Sequence, residues 1–300
     1  MNNIKSYLKR YKILVAINQA LYSVINYILI SKSNLLYRNE IKLIQRLNLF
    51  APNTSGTYRG LEKDIAKLTL LSANQIFPFL VHMGTQLDKE EKELVTAEMF
   101  CSNLHGEDFA AAIKNHFDNN GCDKAHNHNY HYIYGTIIKK IGKVNSILEI
   151  GLGTTNTDVV SNMGKKWVPG ASLRAFRDFL PNAQIYGADI DKRVLFEDTR
   201  IKTFFVDQTD LSSFTTLGNK ISTQLDLIID DGLHSPNANI AVLSFSFKKL
   251  NVGGWTVIED IVEEAAPFWK VVSELLPAKY KSYLIRAEGG LVFAVEKLSE

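Results

Sequence analysis

From about residue 140 onward the chain alternates short apolar runs with stretches of helical period. Seven runs read as strands: Ser146–Ile150, Gln184–Ala188, Thr203–Val206, Leu225–Ile229, Trp255–Ile258, Tyr280–Arg286 and Leu291–Glu296. The first five are four or five residues long and mainly apolar, as expected of strands buried on both faces of a parallel sheet. Helical stretches near 171–180, 192–198, 211–222, 236–250 and 265–276 separate them. Such alternation predicts a doubly wound α/β fold with a mostly parallel seven-stranded sheet. Only Ala287-Glu288-Gly289-Gly290 joins the last two runs, so these should form an antiparallel hairpin.

Upstream the pattern is helical. No Gly precedes Gly56, and helices are expected over roughly 5–30, 38–48, 60–72, 74–84 and 88–101. Ser72 or Asn74 offers one cap, and Asp88 with Glu91 offers a capping box. Pro52, Asn53, Ser55 and Gly56 mark a break. The expected division is a helical segment 1–110, for oligomerisation or as a substrate cover, and an α/β domain 111–300.

Composition adds one asymmetry to this picture. The 300 residues hold 34 Lys+Arg and 32 Asp+Glu, with 46% apolar and 22% charged residues, 18 Gly and 7 Pro. These values are ordinary for a globular protein and exclude collagen-like, low-complexity and disordered classes. Residues 1–50, however, carry eight basic side chains and one acid, Glu40, a charge of +7, which leaves −5 on the remainder. The apolar run Ile13–Ile30 is interrupted by Asn18, Gln19, Ser23 and Asn26, which fall on one stripe of a helix. This describes an amphipathic helix better than a membrane span or signal peptide. It is expected to pack on its own body or on a second subunit, with peripheral membrane docking as the alternative. Nucleic-acid binding is not expected, because no basic patch with interleaved aromatics continues the charge. Cys101 and Cys122 alone make neither a zinc site nor a disulfide framework, so a cytoplasmic location is the default.

The first strand runs Ile147-Leu148-Glu149-Ile150 into Gly151-Leu152-Gly153. Glycines there permit a tight turn and close approach to a ligand. Asn156 replaces the third glycine of a dinucleotide fingerprint, which counts against an NAD-dependent oxidoreductase. The second strand ends in Asp189-Ile190-Asp191, where a carboxylate suits ribose hydroxyls. The third ends in Asp207-Gln208, which suits an adenine amino group. An adenosyl ligand without a phosphate cradle fits this set, although each carboxylate alone could be a helix cap or a solvated loop residue.

A second constellation is acidic. One strand runs into Asp230-Asp231-Gly232-Leu233-His234, and the next into Glu259-Asp260. Four carboxylates at adjacent strand ends repel unless a cation sits among them or some are protonated. Oxygen ligands of this kind suit Mg²⁺, with Asp230, Asp231, Glu259 and Asp260 as candidate ligands. The competing reading makes one or two of them helix caps. His234 is a candidate general base beside such an ion, or otherwise a capping or core residue. The tract His126-Asn127-His128-Asn129-Tyr130-His131 offers a further metal motif, but lacks an additional ligand at fixed spacing.

These residues resemble the class I S-adenosylmethionine-dependent methyltransferases: Glu149, Gly151 and Gly153 match the first motif, and Asp189 the ribose-binding acid. The run from Gly170 to Asp191 looks like the branch that includes macrolide-sugar O-methyltransferases and relatives of the cephalosporin-hydroxylase group. The resemblance covers about residues 120–297 and departs at the long stretch Thr154–Pro169, where Gly170-Ala171-Ser172 would supply contacts to the methionine end of the cofactor. It implies S-adenosyl-L-methionine as cofactor, held by Glu149, Gly151, Gly153, Ser172, Asp189, Asp191, Asp207, Gln208 and Asp230. It also implies that the Asp-Lys…His…Tyr…Tyr pattern places His126, Tyr130 and Tyr134 in the cofactor and acceptor pocket, against a solvated helix start as the alternative. A metal-dependent acid set implies Mg²⁺, with Asp231 and His234 catalytic. The expected function is O-methylation of a sugar hydroxyl in surface-polysaccharide or natural-product biosynthesis, by a homo-oligomer acting on a small-molecule or glycan acceptor. The alternatives are an N-methyltransferase for a small metabolite and a non-catalytic nucleotide-binding scaffold.

Overall fold

The computed structural model describes residues 62–87, 92–164 and 167–300. The expected helices over 5–30 and 38–48, the basic head and the Asp88 cap lie outside the described residues. The chain divides into two compact units, 1–80 and 81–300. Helix α1 (Glu62–Gln86) is continuous where two helices were expected. The Ser72-Ala73-Asn74 capping signal falls within a run that has no Gly or Pro before Pro78. The helix continues through Pro78 without the N–H that proline lacks.

The second unit is built on one nine-stranded sheet. In chain order its elements are β1 (Leu94–Thr96), α2 (Ala97–Asn103), α3 (Glu107–Asn119), α4 (His131–Ile141), β2 (Ser146–Ile150), α5 (Ala171–Phe179), β3 (Gln184–Asp189), β4 (Glu197–Asp198) and β5 (Ile201–Phe205). There follow α6 (Leu211–Lys220), β6 (Leu225–Asp230), α7 (Pro236–Lys249), β7 (Leu250–Ile261), α8 (Ala266–Leu275), β8 (Tyr280–Ala287) and β9 (Gly290–Lys297). The strand order is β1-β8-β9-β7-β6-β2-β3-β5-β4. Strands β7-β6-β2-β3-β5 are parallel, and β9 enters antiparallel between β7 and β8.

All seven expected strands are present, with short strands added at both edges. Within the described part of the helix expected over 88–101, Leu94–Thr96 form β1, parallel to β8, and the helix starts only at α2, whose N-cap Thr96 accepts the Met99 N–H at 3.2 Å. Residues 94–110 therefore belong with the sheet, which moves the boundary expected at 110 toward the N-terminus. The helix expected over 192–198 is a single 3₁₀ turn followed by β4. Between 101 and 140 lie α3, which was not expected, and α4, which begins at His131 within the tract whose alternative reading was a helix start. The α3 residues Ala110, Ile113 and Phe117 are its buried stripe, at the three-and-four spacing of an amphipathic helix.

Two apolar layers cover the sheet. One joins α2 to α5 with Ile147, Ile185, Leu227, Ile229, Trp255 and Val257; the other joins α6 to α8 with Leu148, Ile150, Ile228 and Ile258. The two-residue period of a strand sets which layer each side chain enters. Extending that alternation along β2, β6 and β7 sends Glu149, Asp231 and Glu259 to the α4 face, and Asp230 to the α7 face.

Candidate functional site

The parallel strands finish at one edge, and the order reverses between β2 and β6, where α/β sheets open a ligand crevice. A cavity of about 460 Å³ opens there, lined by Gly151, Gly153, Asp189, Asp191, Asp207, Gln208 and Asp231 among others. A second, of about 300 Å³, is lined by Lys124, Trp167, Ser172, Asp231, His234 and Asp260 among others. The two share Gly151, Gly153, Ser161 and Asp231.

Gly151 has φ +96°, and a Cβ there would lie 2.0 Å from the carbonyl oxygen of Asp231. The missing side chain thus admits the end of β6 as well as a ligand. Gly153, at φ +76°, turns the chain back toward the Met163 side chain. The Asp189 carboxylate accepts the backbone N–H groups of Leu152 and Asp191 at 2.8 and 2.7 Å. Those bonds tie the glycine turn to the end of β3, while burial raises the carboxyl's pKa. Asp191 is held by Arg193, Thr154 and Asn156, which keep its carboxyl far below the usual range. It therefore pins the start of the Thr154–Pro169 stretch. Asp207 lines the cavity and accepts from Thr209.

The acidic edge is organised around a buried lysine to which the sequence reading gave no role. Lys124 Nζ lies 2.8 Å from Asp231 Oδ2, 2.5 Å from Glu259 Oε2 and 3.3 Å from Glu149 Oε1. Burial alone would lower its pKa, but these acids raise it well above the ordinary lysine value. Ser172 donates to Glu149 Oε2 at 2.5 Å. The Tyr134 hydroxyl donates to Glu259 Oε1, and the Tyr130 hydroxyl to Asp260 Oδ1 at 2.6 Å. Burial drives both phenol pKa values well up, so both remain donors.

His234 follows β6 with φ +53°, and Asp260 lies in β7 with φ +54°. Such left-handed geometry costs a non-glycine residue about 1–2 kcal/mol and concentrates at functional sites. At Asp260 it breaks the pleat, so Glu259 and Asp260 both meet tyrosines of the α4 side instead of facing opposite layers. His234 Nε2 lies 4.0 Å from Asp231 Oδ1 and 3.8 Å from Asp260 Oδ2. Among the described residues, Asp231, His234 and Asp260 bring potential ligand atoms within 4.8 Å of one another. Of these, the two carboxylates beside the cavity fit a small divalent ion that takes oxygen ligands and retains waters, which leaves the His234 imidazole facing the same space.

Several expected roles change. Asp230 is fully buried on the α7 face, accepting from Gln208 Nε2 at 2.7 Å and Asn239 Nδ2 at 2.9 Å, and it lines neither cavity and lies outside the group of three potential ligands. Gln208 uses its other amide end to accept the Leu233 N–H at 2.8 Å, which makes it a brace between β5 and β6. Glu259, expected on the metal, is the partner of Lys124 and Tyr134 and lies outside the group of three. Tyr130 and Tyr134 support acids and line neither cavity. Glu149 is fully buried behind Ser172 and Lys124 and likewise lines neither. His126 sits half exposed, 3.6 Å from Asp118, with its ring 6.2 Å from that of Trp167. The three histidines of the tract do not converge: His128 stacks on Tyr130, and the His131 ring lies tilted against that of Tyr132.

No family model matches the chain. It is 30% identical over 116 residues to the 8-demethyl-8-alpha-L-rhamnosyl tetracenomycin-C 2'-O-methyltransferase of Streptomyces olivaceus, covering 39% of this chain and 28% of that protein. To the mycinamicin VI 2''-O-methyltransferase of Micromonospora griseorubida it is 35% identical over 117 residues, covering 38% and 27%. The chain thus matches little more than a quarter of the length of these relatives. Its fold superposes on MycE methyltransferase from the mycinamycin biosynthetic pathway, solved with Mg, SAH and mycinamycin VI. That match has TM-score 0.50 and 23% identity, over 62% of this chain and 54% of the other. The chain is therefore a protein of the Rossmann-like methyltransferase fold, related in sequence to the macrolide- and sugar-O-methyltransferases.

Proposed function

We propose that this protein is an S-adenosylmethionine-dependent O-methyltransferase that acts on a sugar hydroxyl with the help of a divalent ion. The observation that carries this reading is the meeting of two cavities at Asp231. One is lined by the glycine turn and the acids after β3 and β5; the other holds Asp231, His234 and Asp260. The glycine-turn cavity takes the adenosyl group, and the second takes the acceptor. When bound, S-adenosylmethionine supplies an electrophilic methyl, and Mg²⁺ lowers the pKa of a nearby hydroxyl.

The chain's own work is orientation and proton transfer. Asp231 and Asp260 would hold the ion. His234 Nε2 would take the proton of an acceptor hydroxyl placed in the second cavity and keep it until solvent removes it. With a methyl donor bound, transfer would form the carbon–oxygen bond as the donor's carbon–sulfur bond breaks. Positioning the reactants carries much of the barrier reduction, because methyl transfer needs no covalent enzyme intermediate. The acid-lined acceptor cavity favours an oxygen nucleophile over the amine of an N-methyltransferase, since a hydroxyl gains more from a neighbouring cation. One related O-methyltransferase is named for a rhamnosyl substrate, which supports a sugar acceptor in natural-product biosynthesis; a surface-polysaccharide setting rests on the sequence resemblance alone. A cytoplasmic setting and a homo-oligomer, with a membrane-surface contact of the basic segment at residues 5–30 as the alternative, complete the proposal and rest on the sequence pattern alone.

The test is transfer of labelled methyl from S-adenosylmethionine to a panel of nucleotide-linked sugars, glycosides and small amines, with Mg²⁺ and with excess chelator. Label should enter a hydroxyl acceptor and fall at least tenfold with chelator. Transfer to amines alone would overturn the acceptor assignment, and transfer unaffected by chelator would remove the metal.

A further inference from the structure

Lys124 reaches the acidic edge from the turn before α4, and its side chain is only 3% exposed. It contacts acids at the ends of three neighbouring strands: Glu149 of β2, Asp231 after β6 and Glu259 of β7. Glu149 Oε1 makes no aligned hydrogen bond, so at 3.3 Å it meets the ammonium as a counter-charge. With Asp260 these acids gather four carboxyl groups around a single ammonium, and burial raises the pKa of two of them, Glu149 and Glu259. Opposite charges this close attract strongly inside a protein, and like charges repel as strongly.

We infer that Lys124 is a built-in monovalent cation of the acidic edge, which holds Glu149, Asp231 and Glu259 together in the metal-free protein and weakens divalent-ion binding through its own charge. This rests on the metal reading given above. The lysine keeps the emptied site from flying apart, because each buried carboxylate retains a partner. It also makes the ion exchangeable, because Asp231 is shared between the ammonium through Oδ2 and the Asp231–His234–Asp260 group through Oδ1. A lysine that merely positioned the acids would act in the opposite direction, and its loss would weaken the ion's binding.

Calorimetric titration of the purified full chain with MgCl₂, with thermal unfolding as a second readout, separates these roles. Lys124→Met should bind Mg²⁺ at least tenfold more tightly than the parent, melt lower without metal and gain more in Tm when Mg²⁺ is added. Lys124→Arg, which keeps the charge, should stay within threefold of the parent affinity. Glu149→Gln strips a counter-charge from the lysine without touching Asp231 or Asp260, and should bind Mg²⁺ about tenfold more weakly. Equal or weaker binding by Lys124→Met overturns the inference. Should that variant not fold, unchanged affinity in Glu149→Gln overturns it. No Mg²⁺ binding by the parent removes the metal reading and this inference together, whereas parent binding with both variants unchanged removes this inference alone.

Discussion

Replacing His234 by alanine lowers the rate of methyl transfer by about 10²–10⁴-fold, the usual contribution of a general base, and leaves S-adenosylhomocysteine binding intact. The split follows from position. His234 lines the second cavity and not the first, and its Nε2 faces Asp231 and Asp260. The variant also exchanges one left-handed non-glycine residue for another, so the strain of that turn is little changed. Initial rates at saturating cofactor, beside calorimetry with S-adenosylhomocysteine, measure the two effects separately. Near-normal turnover would take His234 out of the chemistry, and equal loss of binding and rate would make it a structural residue.

Gly151→Ala has the second large effect, on fold and cofactor together. The methyl would enter at φ +96° and stand 2.0 Å from the Asp231 carbonyl oxygen, which belongs to backbone and cannot rotate aside. Strained backbone and overpacking together should cost about 3 kcal/mol. A unit of this size should then melt roughly 5–10 °C lower. Asp231 would move with the end of β6, so S-adenosylhomocysteine affinity should fall about a hundredfold and Mg²⁺ binding should weaken as well. A variant that melted and bound like the parent would show that the turn has more room than the structure gives it.

The central sheet was legible because its strands are buried on both faces. Short, mostly apolar runs such as Leu225–Ile229 fit a buried helix as well by periodicity, and their length and flanking turn residues decide for a strand. β1 escaped notice because three residues leading directly into a capped helix carry too short a pattern. Asp230 and Asp231 were both expected on the metal, yet strand alternation alone separates them. Asp230 follows Ile228 to the α7 face, while Asp231 follows Leu227 and Ile229 to the α4 face. That signal was present in the sequence.

Asp260 is the reverse case. Alternation would send it away from Glu259, and only its left-handed backbone returns it to the site. Lys124 could not be assigned from spacing either, because its partners Asp231 and Glu259 lie 107 and 135 positions away and meet it only through the folded sheet. The acids at the end of β3 were expected to meet ribose hydroxyls, and they line a cavity. Their second use, bracing the glycine turn and the following loop, depends on backbone N–H groups that residue identities do not reveal.

Parallel calorimetric titrations with S-adenosylhomocysteine and with NAD decide whether the cavity beside the glycine turn takes an adenosyl group without a dinucleotide's phosphates. Saturable one-to-one binding of S-adenosylhomocysteine and no heat from NAD are expected. Binding of NAD with no heat from S-adenosylhomocysteine would overturn the assignment.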